Sequence, residues 1–485
     1  MMMVPTLAKL LHDRAKSCAH NPCYTFLPNG ESEGETWSFA RVEREARKWV
    51  PILRREAPAG ARALLLFPPG LEFLAAFWGC MDAGIVAVPA GYPRGRRSLE
   101  RAAAIAVDCQ PDVVLTDADN LEAIKEFSRR DTLRHVQVLD GSQQISDDEI
   151  LASSSVEPDS IALIQYTSGT TSTPKGVVLR HRHLVANQVM IAHAMKHDDS
   201  STFVSWLPHF HDMGLIGNLI HPFYLGTRCI FMPPAAFLQR PARWLQAIAR
   251  YRAHTSGAPN FAYDLCARQI SANDKAGLDL SSWRVAFNGS EPVQSATLRR
   301  FRDEFSNCGF QAGSFYPTYG LSEATLMVSG GMPEEAVYEE AAIRTARSGR
   351  ALVKCGRSVP DTEIRIVSPQ TRRICPDGAV GEVWVHGPSI ADGYWSRVEE
   401  TSTIFHARID QSEDRRYLRT GDLGFLRDGE LFITGRLKDL VIVRGLKYQP
   451  HEIESLASAS HPMASTGSAA AFQLEDRSVQ TLAVV

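Results

Sequence analysis

The sequence lacks a strong charge of either sign, and it lacks a long apolar run. Its 52 lysine and arginine residues nearly balance its 55 aspartate and glutamate residues, which gives a formal net charge of -3. Such a balance provides no overall field to attract nucleic acid or an anionic membrane surface. No segment reaches the roughly 18 apolar residues that a membrane-spanning helix needs. We therefore expect no nucleic-acid partner and no membrane span.

Cysteine is also scarce and irregularly spaced. Nine cysteines among 485 residues, an odd number without a Cys-x-x-Cys pair, do not suit a disulfide framework. We expect a protein of the reducing cytoplasm. With 44% hydrophobic and 22% charged residues, the chain has the composition of an ordinary enzyme, and its length predicts two or more domains.

Short apolar segments alternate with segments of helical periodicity over most of the chain. The strand-like segments include ARALLLF, IVAVPA, IALIQY and WRVAFNG, and LEFLAAFWGCMDAG and PARWLQAIARYRA have the helical pattern. This alternation is typical of parallel sheets covered by helices. From about residue 360, alternating strands such as GEVWVHG and ELFITG are separated by Gly, Asp and Pro turns, which predicts a β-rich unit.

One loop has the clearest chemical pattern. TSGTTSTPKG, at 167–176, follows the apolar segment IALIQY and combines hydroxyl side chains with Gly169 and Lys175. Backbone N–H groups, hydroxyls and one cation in such a loop can bind phosphate. Only one glycine precedes the lysine, so the loop is not a P-loop of the GxxxxGK[ST] type. Taken alone, it fits a solvated Ser/Thr turn equally well.

Eight further segments follow this loop, and together they place the chain near a known superfamily. They are SWLPHFHDMGLIG, FLQRPARWLQAIARYRA, SGAPNFAYDLC, VAFNGSEPV, FYPTYGLSEATL, GYW, YLRTGDLGFL and TGRLKDLVIVRG. With the loop, they resemble the adenylate-forming (acyl-activating) superfamily, and within it the fatty acyl-AMP ligases. The resemblance implies ATP-dependent activation of a medium- or long-chain fatty acid to acyl-AMP, with release of pyrophosphate. The acyl group would pass to an acyl carrier protein.

The resemblance also implies an architecture. We expect an α/β fold whose large N-terminal domain holds two helix-covered, mostly parallel sheets at 1–359 and a β-rich, barrel-like subdomain at 360–436. A hinge and the beginning of a small α+β C-terminal domain would occupy 437–485. The adenylation lysine of the family lies further along that domain, so we expect the domain to be incomplete here. Lys438 and Lys447 are not assumed to replace it.

Particular residues take on roles by the same resemblance. The candidate catalytic residues are Lys175 beside the phosphates, His211 beside the reacting carboxylate, and Glu323, which would bind the Mg²⁺ that accompanies ATP. Lys438 would lie at the hinge. The candidate nucleotide-binding residues are Thr167, Ser168, Gly169, Thr170, Thr171, Gly289, Ser290, Glu291, Tyr319, Gly320, Ser322, Asp422 and Arg436.

Several of these motifs have simpler explanations when taken alone. YGLSE fits a helix start with Ser322 near the cap, and Asp422 fits an ordinary turn before Gly424. HFHD at 209–212 resembles part of a metal cluster, but no further ligands follow at recognisable spacing, so we do not expect zinc. A GxSxG motif is absent, which argues against an α/β-hydrolase.

Two features bear on the acyl acceptor and on nucleotide affinity. The polar stretch between Glu323 and Gly356 resembles the insertion by which fatty acyl-AMP ligases are thought to disfavour CoA, although an ordinary surface loop is the alternative. Ser172 stands where the family usually has a second glycine, which is expected to weaken ATP binding. We expect the acyl tunnel among the segments at 205–266. The alternatives are a fatty acyl-CoA synthetase and a non-catalytic module that binds nucleotide or acyl-adenylate.

Overall fold

The structure is a computed structural model. It describes residues 5–129, 133–141, 156–167, 174–331, 340–345, 348–410, 415–439, 441–443, 446–448, 450, 453–454, 457, 460, 469–476 and 479–485. The centre of the predicted phosphate loop, 168–173, and the first part of the predicted insertion, 332–339, lie outside the described residues.

Helices and strands alternate through the first two thirds of the chain, and strands dominate thereafter. The α-helices are α1 (Leu7–Ser17), α2 (Phe39–Glu56), α3 (Leu71–Ala83), α4 (Arg96–Cys109), α5 (Leu121–Ser128), α6 (His181–Ala194), α7 (Asp212–Leu215), α8 (His221–Leu225), α9 (Pro234–Gln239), α10 (Ala242–Arg250), α11 (Asn260–Gln269), α12 (Ala272–Lys275), α13 (Ser295–Phe305) and α14 (Val398–Phe405). A π-helical turn, Ile216–Ile220, joins α7 to α8.

The strands are β1 (Pro22–Phe26), β2 (Thr36–Ser38), β3 (Arg62–Leu65), β4 (Val86–Pro89), β5 (Val113–Leu115), β6 (Gln137–Leu139), β7 (Ile161–Tyr166), β8 (Gly176–Arg180), β9 (Phe203–Ser205), β10 (Cys229–Phe231), β11 (Thr255–Ala258), β12 (Val285–Asn288), β13 (Phe315–Gly320), β14 (Met327–Gly330), β15 (Glu340–Thr345), β16 (Ser348–Val353), β17 (Arg357–Ser358), β18 (Glu363–Val367), β19 (Gly381–His386), β20 (Leu418–Arg427), β21 (Glu430–Arg436), β22 (Val441–Val443), β23 (Leu446–Tyr448), β24 (Ala471–Asp476) and β25 (Val479–Val484).

Two large, mostly parallel sheets form the body of the protein, as the sequence predicts. In the six-stranded sheet, β6, β5, β3, β4 and β7 are parallel neighbours, and β8 pairs antiparallel with β7. In the nine-stranded sheet, β13, β12, β11, β9, β10 and β1 form a parallel centre, with antiparallel strands at both edges. Strands buried on both faces explain the continuous apolar segments of the sequence.

The nine-stranded sheet separates two apolar cores. Alternate residues of β10 point to opposite faces, so Cys229 and Phe231 pack in one core and Ile230 packs in the other. Trp78, whose ring centre lies 4.2 Å from that of Phe223, belongs to the first core. Helices therefore cover both faces of the sheet, as a parallel sheet requires.

The β-rich segment forms an open sheet. Strands β18, β19, β20 and β21 pair antiparallel in that order. In the part of the chain that the structure describes, β18 and β21 remain at opposite edges, so the expected barrel does not close. Closure would require the two edge strands to pair with each other, and no such pairing occurs among the described strands.

Two further findings concern the predictions made from composition. All nine cysteines are free thiols, and seven of them are buried. Among the described residues, we find no helix with the length and apolarity that crossing a bilayer demands.

The first helix is joined to α2 and α3 by an ionic bridge that His12 makes to two carboxylates. Its Nδ1 lies 2.8 Å from Glu43 Oε1, and its Nε2 lies 2.8 Å from Asp82 Oδ1. The hydrogen bonds to Asp82 and Glu43 raise the pKa of His12 to about 9, against the opposing effect of burial. The protonated imidazole therefore holds three helices together.

We predict that His12→Gln destabilises the protein in a pH-dependent manner. Because the folded pKa is raised, the contribution of His12 is complete below about pH 6.5 and is lost as the pH rises through about 9. The full contribution is at most about 3 kcal/mol. Melting temperatures of both proteins between pH 6 and pH 10 would test this, since their difference should shrink over that interval. A difference that stays constant with pH would contradict the assigned charge.

Candidate active site

The two ends of the predicted phosphate loop are held together by the backbone and by two arginines. The Thr167 N–H donates to the Lys175 carbonyl at 3.1 Å. Arg101 donates to the Thr167 carbonyl at 3.2 Å, and Arg397 donates to the Pro174 carbonyl at 3.2 Å. Both flanks of the loop are therefore fixed by side chains from α4 and from the segment before α14.

Arg397 is itself oriented by a carboxylate. Its Nη2 donates to Asp108 Oδ1 at 2.7 Å, and the Tyr166 hydroxyl donates to the other Asp108 oxygen at 2.6 Å. Tyr166 ends the strand that leads into the loop, so the carboxylate connects that strand to Arg397. The predicted phosphate-binding residues between the two flanks, which lie outside the described residues, are Ser168, Gly169, Thr170 and Thr171.

Tyr394 connects the candidate catalytic residues Lys175 and Glu323. Lys175 Nζ forms an ion pair with Glu400 and lies 5.3 Å from the centre of the Tyr394 ring. The Tyr394 hydroxyl donates to Glu323 Oε1 at 2.7 Å. Burial raises the pKa of Glu323, although the hydrogen bond from Tyr394 opposes the shift. One tyrosine therefore lies between a cation and a carboxylate.

A second carboxylate, Asp212, is surrounded by donors. Its Oδ1 lies 2.7 Å from His211 Nδ1 and accepts the Met213 N–H at 2.6 Å, and the Ser322 hydroxyl donates to its Oδ2. Burial acts to raise the pKa of Asp212, but the charge of His211 and these hydrogen bonds outweigh it and lower the pKa. The charge of Asp212 in turn raises the pKa of His211. The geometry favours a charged pair.

A third carboxylate, Asp422, joins the nine-stranded sheet to the antiparallel sheet. The Tyr319 hydroxyl donates to its Oδ2 at 2.7 Å, and Arg436 Nε donates to its Oδ1 at 3.0 Å. Asp422 and Arg436 are register partners on β20 and β21, so backbone pairing fixes their positions. Burial raises the pKa of Asp422, and the charge of Arg436 and the Tyr319 hydrogen bond oppose the shift.

The turn after β12 and the end of β13 are tightly packed. A Cβ at Gly289 would lie 2.9 Å from a side chain of β13, and a Cβ at Gly320 would lie 1.8 Å from a backbone oxygen. Ser290 has a left-handed backbone with φ of 67°. Glu291 accepts the Phe261 N–H at 2.5 Å, and burial raises its pKa. Glycine is thus required at two positions by the approach of protein atoms.

A cavity of about 60 Å³ adjoins these groups and extends along one face of the sheet. Asp212, Gly289 and Ser290 lie at the end near the carboxylates, and His197 and Thr255 lie further away. Six of its lining residues fall between 205 and 266, where the sequence predicts an acyl tunnel. The remaining lining residues come from α6 and the segment that follows it, from β9, and from the ends of β12, β13 and β14.

The structure brings most of the predicted residues to the carboxyl ends of the parallel strands. Ser322 contacts Asp212, and the charges of Asp212 and Asp422 both act on Glu323. Lys438 follows β21 by two residues. Sequence analysis gave no role to a further set of residues in this network, which are Arg101, Asp108, Tyr166, Asp212, Tyr394, Arg397 and Glu400. Of these, Asp212 and Tyr394 belong to the motifs HFHD and GYW, and Tyr166 ends the strand-like segment IALIQY.

Known proteins share this arrangement of elements. Residues 11–395 match the AMP-binding enzyme family. The chain is 41% identical to the medium-chain-fatty-acid–[acyl-carrier-protein] ligase JamA of Moorena producens, over 99% of this chain and 85% of that protein. It is 37% identical to the ligase of the same description, TtuA, of Teredinibacter turnerae, over 93% and 79% respectively. A fatty acyl-adenylate ligase from L. pneumophila, solved with acyl adenylate and pyrophosphate, superposes with a TM-score of 0.83 at 38% identity, covering 99% and 86%.

We predict that Arg436→Gln destabilises the protein increasingly as the pH rises from 4 to 8. Loss of the guanidinium leaves Asp422 buried without its counter-charge, so its folded pKa rises further and its ionisation at higher pH costs stability. We expect a deficit of about 2 °C at pH 8, since the arginine is partly exposed. Melting curves across this pH range would test it, with Arg436→Lys as the control that keeps the charge. Equal deficits for both variants at every pH would contradict the assignment.

Proposed function

The chain belongs to the AMP-binding enzyme family, and we propose that it uses ATP to activate a medium-chain fatty acid as acyl-AMP for transfer to an acyl carrier protein. The two ligases that it resembles carry that description, and their similarity extends over most of both chains. The observation that carries the proposal is that Tyr394 contacts both Lys175 and Glu323, and that Ser322, next to Glu323, contacts Asp212 in the cavity wall. The site thus has groups for phosphate charge next to space for an acyl chain.

The reaction is a displacement at phosphorus. A carboxylate oxygen of the fatty acid forms a bond to the α-phosphorus of ATP, and the bond from that phosphorus to the bridging oxygen breaks. Pyrophosphate leaves with the electron pair, so no proton has to be transferred in this step. The protein therefore needs to align two anions and to neutralise their charge, and it needs no covalent nucleophile.

Lys175 is the group that we assign to the phosphates. Its ion pair with Glu400 is partly exposed, with 29% and 34% of the two side chains accessible, and such a pair is weak. A phosphate group can therefore replace Glu400 at modest cost. Arg101 and Arg397 hold the flanks of the loop, so they would keep Thr167 and Lys175 in position while phosphate replaces Glu400.

We assign Mg²⁺ binding to Glu323. Among the described residues, no group of three or more potential metal ligands comes together. Mg²⁺ is commonly bound by one or two carboxylates together with substrate phosphates and water. Glu323 fits this pattern because burial raises its pKa, which a nearby cation would reverse. The ion would neutralise phosphate charge, and Tyr394 would orient the carboxylate.

The remaining predicted residues are assigned to the nucleotide and the acid. Asp422 would accept the ribose hydroxyls, since each carboxylate oxygen has capacity beyond its present hydrogen bond, and Arg436 would contact the nucleotide. His211, held by Asp212, would lie beside the fatty acid carboxylate. The adenine would lie along the turn after β12 and against Tyr319, and Ser322 would reach a phosphate oxygen. The residues assigned to nucleotide binding there are Gly289, Ser290 and Glu291, in the turn after β12, and Gly320, at the end of β13.

We further propose the domain division that the resemblance implies, with Lys438 as the hinge. The core would span 1–359, the β-rich subdomain 360–436, and the segment 437–485 would belong to the C-terminal unit. The open sheet of β18–β21 would then form one wall of the site through Asp422.

The expected activity is exchange of pyrophosphate into ATP that depends on a fatty acid. We predict exchange with hexanoate to dodecanoate and much less with octadecanoate, measured with radiolabelled pyrophosphate. Acyl-AMP formed in this way should acylate a holo acyl carrier protein and should leave CoA unmodified. Rapid formation of acyl-CoA would favour the acyl-CoA synthetase alternative. Tight binding of a non-hydrolysable acyl-AMP analogue without any exchange would favour a non-catalytic module.

We predict that Glu323→Gln lowers the exchange rate by about 100-fold, because a neutral amide cannot stabilise the cation that offsets phosphate charge. Tyr394→Phe keeps the ring beneath Lys175 and removes only the hydroxyl, so we expect a loss of about tenfold and a higher Mg²⁺ requirement. Exchange rates against Mg²⁺ concentration would separate the two roles. Full activity of Glu323→Gln would overturn the assignment.

A further inference from the structure

The cavity runs along the sheet away from the reaction centre. β11 and β12 pair in register from Thr255 with Val285 to Ala258 with Asn288, and Gly289 follows directly. Thr255 and Gly289 both line the cavity, and they lie at the two ends of this paired segment. Four residue steps along parallel strands correspond to about 13 Å. The cavity therefore extends from the carboxyl ends of the strands to their amino ends.

The end of the cavity at the amino ends of the strands, which we call its distal end, is closed by a buried chain of hydrogen bonds. His221 Nδ1 lies 2.8 Å from Gln188 Oε1, and its Nε2 lies 3.1 Å from His197 Nδ1. His197 Nε2 lies 2.8 Å from the Thr255 hydroxyl oxygen. Burial lowers the pKa of His221 to about 3, and burial also lowers that of His197. Both imidazoles are neutral, and each of their nitrogens already has a partner.

Asn218 lines the cavity, and part of its amide is unpaired; Gln188 Nε2 also lacks a partner among the described residues, but Gln188 does not line the cavity. Asn218 lies in the π-helical turn and is fully buried. Its Nδ2 donates to the Met213 carbonyl at 2.7 Å, whereas its Oδ1 has no hydrogen-bond partner in the described part of the chain. Buried polar atoms without partners are rare and costly in native proteins. Of the described residues with such an unpaired side-chain atom, Asn218 is the one that lines the cavity, so a molecule bound in the cavity is the candidate partner of its oxygen.

The Met213 carbonyl also fixes which atom of the amide is unpaired. If the amide were rotated by 180°, two oxygens would face each other at hydrogen-bond distance. The free atom is consequently the oxygen, which can only accept a hydrogen bond. A ligand group that satisfies it must be a donor.

The position of Asn218 along the cavity follows from the helical run that contains it. Asp212, at the start of α7, contacts Ser322 near the reaction centre, and His221, at the start of α8, belongs to the chain of hydrogen bonds at the distal end. Asn218 lies six residues after Asp212, which corresponds to about 9 Å of helical rise. Its oxygen is therefore set well away from the carboxylate end of a bound acid.

We propose that Asn218 Oδ1 accepts a hydrogen bond from a hydroxyl group near the distal end of the acyl chain. The preferred substrate is then a medium-chain acid that bears such a hydroxyl. This inference rests on the proposed function, because it concerns the same acyl site. A plain alkyl chain would exclude water and leave the oxygen unpaired, whereas a hydroxylated chain of equal length would satisfy it.

The test compares octanoate with 6-, 7- and 8-hydroxyoctanoate in pyrophosphate exchange. We expect kcat/KM of the wild-type protein to be about tenfold or more higher for one hydroxylated isomer than for octanoate. In Asn218→Leu, this preference should disappear, with octanoate used at least as well as the hydroxy acid. Met195→Leu, which changes an apolar lining residue at similar volume, is the matched control and should keep the preference.

The possible results are distinguishable. Equal or higher kcat/KM for octanoate than for every hydroxy isomer in the wild-type protein overturns the inference and leaves the proposed function intact. Loss of the preference in Met195→Leu to the same extent as in Asn218→Leu also overturns it. If no acid supports exchange in the wild-type protein, the proposed function fails, and the inference fails with it. The wild-type comparison decides the question even if Asn218→Leu does not fold.

Discussion

The parallel pairing of the central strands is the constraint on which the site depends. Parallel strands place their carboxyl ends at one edge of a sheet, and ligands of open α/β sheets bind at that edge. In this protein, three segments lie at that edge: the segment after β9 with His211, the turn after β12 with Ser290, and the turn after β13 with Glu323. The same pairing places the amino ends on the far side, so a cavity along the sheet leads away from the charged groups.

The carboxylates at this edge are stabilised by hydrogen-bond donors from other parts of the chain. The charges of Asp212 and Asp422 both act on Glu323, and burial acts to raise the pKa of all three carboxylates. Each is supported by donors from distant parts of the chain, such as Tyr394 for Glu323. Buried charges require such partners, because desolvation is expensive. A triphosphate would add further negative charge, so cations at the site are a physical requirement of nucleotide binding.

The sequence predicted those parts of the molecule that depend on short segments. Strand and helix alternation gave the parallel sheets, and contiguous motifs supplied Lys175, Glu323 and Asp422 as candidates, whose roles stay predictions. The predicted barrel was wrong. Alternation of apolar and polar residues shows that strands exist, but it does not show whether the sheet closes. Arg397 and Asp108 were missed because they are 289 residues apart and neither has a distinctive neighbourhood. Asn218 was missed for another reason: only the structure reveals which atom of its amide lacks a partner.

The contacts of Lys175 suggest how the proposed phosphate site would be kept stable before an anion binds. The lysine pairs with Glu400 and lies over the ring of Tyr394, so its charge is compensated in the free protein. Glu400 lies in the first turn of α14, where the helix dipole favours a negative charge independently of the lysine. If Lys175 moved toward a phosphate, as we propose, Glu400 would remain stabilised and partly solvated. Tyr394 still contacts Glu323, so the carboxylate stays in place when the cation moves.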